Sequence, residues 1–263
     1  MTPLYFGTGQ RRLFGVLDPA ETRSSQAQAA VICYPWGHEY IFAHRALRYL
    51  SRQLAARGFS VLRFDYYGSG DSAGDESETR LSGSRKDIVS AIQELKEICD
   101  AKAVVLIGLR LGASLAAQIA AECRKDVAAL VLWDPAVSGP EHLKLLEIEW
   151  TEMAQRHSTY LGNESERRRG ARYGLPITDE LAMDVSAIDL ISIVDKLPPR
   201  TLCLCTEALP SHNAWRAALE ARPNGPLALE NFSDIHPWLE GNLETVGRLP
   251  LAAIGRITTW LAP

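Results

Sequence analysis

Apolar and polar positions alternate over residues 1–18 around Gly7-Thr8-Gly9-Gln10, which predicts a hairpin of strands at 4–6 and 13–17. After a polar connection at 20–28, residues 29–34 form an unbroken apolar run, the pattern of a strand buried on both faces. Short runs at 60–64, 104–107, 128–133, 201–205 and 227–231 also read as strands. Between the runs the period changes to that of a helix. Residues 43–57 place Leu47, Leu50, Leu54 and Ala55 on one face before a stop at Gly58. Residues 87–98 do the same with Ile88, Ala91, Ile92 and Leu95, and further helices are expected at 111–123, 213–221 and 251–261. Strands alternating with helices imply right-handed crossovers and a mainly parallel sheet, so the expected class is α/β.

The alternation breaks between Pro135 and Pro198. About sixty residues without a strand are too many for a plain connection, and Leu143, Leu146 and Trp150 share one helical face. The segment 136–198 is therefore expected to be a helical lid inserted into a core made of 1–135 and 199–263. Its basic cluster, Arg167 to Arg169 with Arg172, lies among Glu164 and Glu166 and reads as a solvated helix face.

Composition narrows the partners. A net charge of −4 over 263 residues gives no general attraction for nucleic acid or an anionic membrane. No apolar run approaches the roughly 18 residues of a membrane span, and the N-terminus lacks a signal pattern, so a cytoplasmic protein is expected. The five cysteines, Cys33, Cys99, Cys123, Cys203 and Cys205, lack zinc-ligand spacing and read as reduced thiols; no metal or cofactor is expected.

The chemistry centres on 103–120, where an apolar strand runs through Gly108-Leu109-Arg110-Leu111-Gly112 into a helix of small residues. This is the outline of a nucleophile elbow, G-x-S-x-G, in which a strained strand-to-helix turn lifts a serine above the sheet. Here the central residue is Arg110. A guanidinium has five donors and no acceptor and stays protonated, so it is neither nucleophile nor general base. Losing the serine of a triad costs on the order of a millionfold in kcat. Ser114, one turn into the helix, Cys33, two residues before the next loop, and Ser69, in a Gly-Ser-Gly turn, are poor substitutes by position. A buried Arg110 also requires a partner. Asp134 or Glu39 would make it an internal strut, whereas an external carboxylate or phosphate would make it a ligand-binding group.

The order of Pro35-Trp36-Gly37-His38, Phe64-Asp65-Tyr66-Tyr67-Gly68-Ser69-Gly70-Asp71-Ser72, the elbow, a lid and a late histidine resembles the α/β-hydrolase superfamily over nearly the whole chain. Within it the chain is most similar to serine-aminopeptidase-like proteins and to hydrolase-like proteins associated with the bacterial exosortase system, some of which carry G-L-R-x-G at the elbow. The resemblance implies an α/β-hydrolase fold and assigns the histidine role to His236. Its usual acid position is Leu209, with Glu207 two residues early; in other branches the acid follows the preceding strand, where this chain has Asp134. The loop 35–40 would supply one oxyanion-stabilising N–H and Leu111 the second, with Trp36, Gly37 and His38 at the substrate. Three functions follow. The first is an enzyme acting on an ester, thioester or amide, free or carrier-bound, with Arg110 polarising an oxygen and His236 and Asp134 moving a proton. The second is an inactive pseudo-hydrolase that binds or assembles. The third is a non-hydrolytic lyase or cyclase.

Overall fold

The computed structural model describes residues 1–22, 27–156, 177–206, 209–225, 227, 229–235 and 248–262, with the side chains of 153–156 left aside. Glu207, His236 and the basic cluster at 167–172 lie outside these residues.

One eight-stranded sheet forms the centre, in the order β1-β2-β4-β3-β5-β6-β7-β8. Its strands are β1 (Thr2–Thr8), β2 (Arg11–Asp18), β3 (Gln28–Cys33), β4 (Phe59–Phe64), β5 (Val104–Leu109), β6 (Val127–Trp133), β7 (Thr201–Cys205) and β8 (Leu229–Asn231). β1 and β2 form the expected hairpin, and β2 meets β4 antiparallel. Every pairing from β4 through β8 is parallel. All six residues of β5 are buried, as the continuous apolar run requires of a central parallel strand covered on both faces.

The helices are α1 (His38–Ala55), α2 (Leu81–Cys99), α3 (Leu111–Glu122), α4 (Gly139–Arg156), α5 (Asp179–Ser186), α6 (Pro210–Glu220) and α7 (Leu251–Leu261). Between β6 and β7 the described residues hold only helices, α4, α5 and a 3-10 turn at Ile191–Lys196, apart from an isolated bridge between Ser138 and Asp189. Three helices begin earlier than their apolar stripe predicts, α6 by three residues at Pro210. α2 starts at Leu81 because Leu81 and Ser84 already face the core. α1 starts at His38, so His38, Glu39 and Tyr40 form its first turn instead of a loop. Their polarity hid them from a hydrophobic pattern, yet His38 and Glu39 are buried.

The sheet's register positions the site. β5 lies between β3 and β6, with Cys33 opposite Gly108 and Leu109 opposite Trp133. Tyr34, Arg110 and Asp134 therefore emerge side by side at the C-terminal ends of three adjacent strands, where open α/β sheets put their ligands.

Candidate functional site

The elbow is built as its glycines imply. A Cβ on Gly108 would stand 2.3 Å from Ala113 Cα, and one on Gly112 would stand 2.2 Å from the Tyr34 carbonyl oxygen. Both positions need a hydrogen where helix, strand and loop backbones touch. Arg110 takes φ 54° and ψ −122°. That conformation costs a residue with a Cβ on the order of 1–3 kcal/mol and is held by its surroundings. The Arg110 N–H donates to Trp133 O at 3.0 Å, and its carbonyl accepts from Ala113 N at 3.0 Å and Ala136 N at 3.3 Å. The turn between β5 and α3 thus holds a non-glycine residue at positive φ.

The guanidinium turns inward. Its Nε donates to Glu39 Oε1 at 2.6 Å, and Nη2 lies 3.8 Å from Glu149 Oε1. Both Arg110 and Glu39 are 0 % exposed. Glu149, from α4, also lies 3.1 Å from His38 Nε2. Burial works to lower the Arg110 pKa, and the carboxylates of Glu39, Glu149 and Asp134 more than reverse it, holding the cation. Burial pushes the Glu39 carboxyl up to about 7; the Arg110 charge opposes this shift without cancelling it. His142, buried on the same helix as Glu149, has no hydrogen-bond partner for either ring nitrogen among the described residues. Burial and the charges of Arg110 and His38 keep its pKa well below the ordinary value, so the ring is neutral.

Asp134 is held by the next strand over. Its Oδ1 accepts from Thr206 N at 2.6 Å, its other oxygen accepts from the Thr206 hydroxyl, and its own N–H donates to Leu204 O at 2.8 Å. The histidine expected beside it, His236, lies outside the described residues. The other nucleophile candidates are occupied or inert. Ser114 Oγ donates to Ala136 O at 2.7 Å. Burial raises the Cys33 thiol to about 12, outweighing the Tyr66 hydroxyl that favours its thiolate. Ser69 belongs to a structural loop in which Asp65 accepts from Tyr40 OH at 2.7 Å and from Asp71 N at 3.0 Å, while Ser72 Oγ donates to Asp65 O at 2.6 Å.

A cavity of about 280 Å³ opens beside the loop before α1, walled by Trp36, Gly37, Tyr40, Ile41 and Tyr66, with Glu76 at its edge. Of the expected substrate-binding positions, Trp36 and Gly37 line it. His38 does not; it is buried against Glu149 as a helix residue, which corrects its placement in a loop at the substrate. Leu111 is the first residue of α3, so its N–H has no acceptor within the helix; it is buried and does not line this cavity. Glu149 and His142 did not emerge from the sequence as site residues. Their signal was present all the same, because 142, 146 and 149 follow the spacing of one helical face and Leu146 is buried.

A family model described as serine aminopeptidase, S33, matches residues 26–180, more than half of the chain. No curated protein matches the sequence. Among solved structures, Est1E from Butyrivibrio proteoclasticus superposes with a TM-score of 0.68 at 17 % identity, covering 99 % of each chain. A proline iminopeptidase from Mycobacterium smegmatis gives 0.64 at 13 % identity, covering 99 % of this chain and 97 % of that one. The Pyrococcus furiosus esterase Pf2001 gives 0.63 at 14 %, covering 99 % and 89 %. At these identities the likeness establishes the fold, an α/β-hydrolase fold.

Proposed function

Because the chain belongs to the serine aminopeptidase S33 family, we propose that it is a hydrolase-fold member that binds an acyl compound in its cleft without forming an acyl-enzyme, a pseudo-hydrolase acting as a binding or assembly module. One observation carries this reading: the nucleophile position holds Arg110, whose Nε is bonded to the buried carboxylate of Glu39 at 2.6 Å. An arginine tied to a buried carboxylate of α1 is a strut that fixes that helix to the elbow. What supports binding is the apolar cavity walled by Trp36, Tyr40 and Ile41.

The test pairs two measurements on purified protein. Fluorophosphonate labelling and turnover of ester, thioester and amide panels are expected to be absent, while calorimetry with acyl compounds of graded length detects saturable binding. Turnover that disappears in His236→Ala would overturn this reading in favour of a second one. In that reading the chain is a non-serine acyl hydrolase in which Arg110 polarises the substrate oxygen and His236, oriented by Asp134, moves the proton. It is favoured by Asp134, a buried carboxylate at the end of β6 whose charge helps to hold the Arg110 cation. Product formed without incorporation of water would instead assign a lyase or cyclase.

A further inference from the structure

The solvent face of α1 carries a row of cations. Arg45, Arg48 and Arg52 are exposed and spaced i, i+3 and i+7, which stacks them along one side of the helix. Ile41, four residues before Arg45, heads the same row, is 66 % exposed and forms part of the cavity wall. From Ile41 to Arg52 the row runs about 16 Å at the rise of an α-helix. None of the three arginines makes an ion pair among the described residues, in contrast to Arg11, Arg63, Arg80, Arg85, Arg110 and Arg256.

Overall composition does not account for the row. The chain has 32 acidic and 28 basic residues, so three unpaired arginines on one helix run against its net charge. α1 itself offers no neutralising group, since Glu39 is buried against Arg110. Two acids line a hollow with Arg48 and Arg52. They are Asp18, held by Ser51 Oγ and Arg63, and the exposed Glu21.

We propose that this face of α1 docks an acidic carrier protein, so that an acyl group tethered to the carrier enters the cavity at Ile41. The inference rests on the reading of the cleft as an acyl-binding site and names how the ligand arrives. Planar guanidinium forks match carboxylates two-pronged, and three of them in a helical row suit an acidic helix laid alongside. The row leads to the cavity, so a partner seated on it stands within a short tether of the mouth. A free small molecule has no use for cations spread along three turns. A lipid surface fits less well, because Ile41 is the one large apolar side chain markedly exposed on this helix, too little to insert.

The test uses the full chain and an acidic, phosphopantetheinylated carrier protein bearing a non-hydrolysable dodecanoyl amide, with the same dodecanoyl-pantetheine amide free in solution as reference. By calorimetry at about 50 mM salt the loaded carrier is expected to bind at least about tenfold tighter than the free compound. That advantage should vanish at about 300 mM salt, where surface charges are screened. Arg45→Glu with Arg48→Glu and Arg52→Glu should remove the advantage, leave binding of the free compound unchanged, and melt within about 2 °C of the parent, as exposed substitutions do. Equal affinity for carrier and free compound, or an unchanged carrier affinity in the triple variant, overturns the docking face. So does preferential binding of equimolar phosphatidylglycerol–phosphatidylcholine vesicles through these arginines. Failure of the free compound to bind counts against the acyl cleft instead, which separates the two ideas.

Discussion

Truncating Arg110 to alanine removes the cation bonded to Glu39, a carboxylate that no solvent reaches. At 2.6 Å and an effective dielectric constant of about 20, the attraction between Arg110 and Glu39 is about 6 kcal/mol before desolvation is charged against it. Removing one partner of such a pair costs roughly 3–5 kcal/mol, because the other charge is left buried. For a chain of 263 residues this corresponds to a fall in Tm of roughly 6–20 °C. The loss has a pH signature. Without Arg110 the Glu39 carboxyl moves above its value of about 7, and a carboxyl raised in the folded state favours folding while protonated and opposes it once pH passes the folded pKa. The deficit is therefore smallest near pH 5 and largest near pH 8. Scanning calorimetry of the variant at both pH values measures it, and Arg110→Met combined with Glu39→Met should recover most of the stability by replacing both charges with apolar groups. A variant that melts within about 2 °C of the parent at pH 8, or a double variant no better than Arg110→Ala, would refute the strut.

Other outcomes follow from the same geometry. Gly112→Ala forces a Cβ to 2.2 Å from the Tyr34 carbonyl oxygen, so the variant should lose several kcal/mol or fail to accumulate as soluble protein, read by yield and Tm. Cys33, 0 % exposed with its thiol raised to about 12, should resist iodoacetamide at about pH 8 in the native protein and react on denaturation, as peptide mapping will show. His142 is held neutral with a pKa well below the ordinary 6.5, so its contribution to stability is complete above that value and declines as pH falls through it; His142→Phe should flatten the acid side of the Tm profile. Thr206→Val takes one of the two donors from the buried Asp134 carboxylate and should cost about 1–3 kcal/mol in chemical denaturation.

The sequence by itself determined the sheet and its elbow. Continuous apolar runs at β3, β5, β6 and β7 identified buried parallel strands because such strands face helices on both sides, and α7 was read to its last residue. Gly108 and Gly112 were legible as close-contact positions, and Arg110 as a residue that excludes nucleophilic chemistry, because both follow from covalent structure alone. The first turn of α1 was not legible. Polar His38 and Glu39 break an amphipathic pattern and are buried only because Arg110 and Glu149 meet them across 71 and 111 residues of sequence. Period and propensity describe neighbours along the chain, whereas a buried ion pair joins groups that only the tertiary fold brings together. The sequence left Arg110 a choice between an internal carboxylate and an external anion. The tertiary structure brings Glu39 of α1 to 2.6 Å from the guanidinium, an internal carboxylate that only the packing of α1 against the elbow could supply.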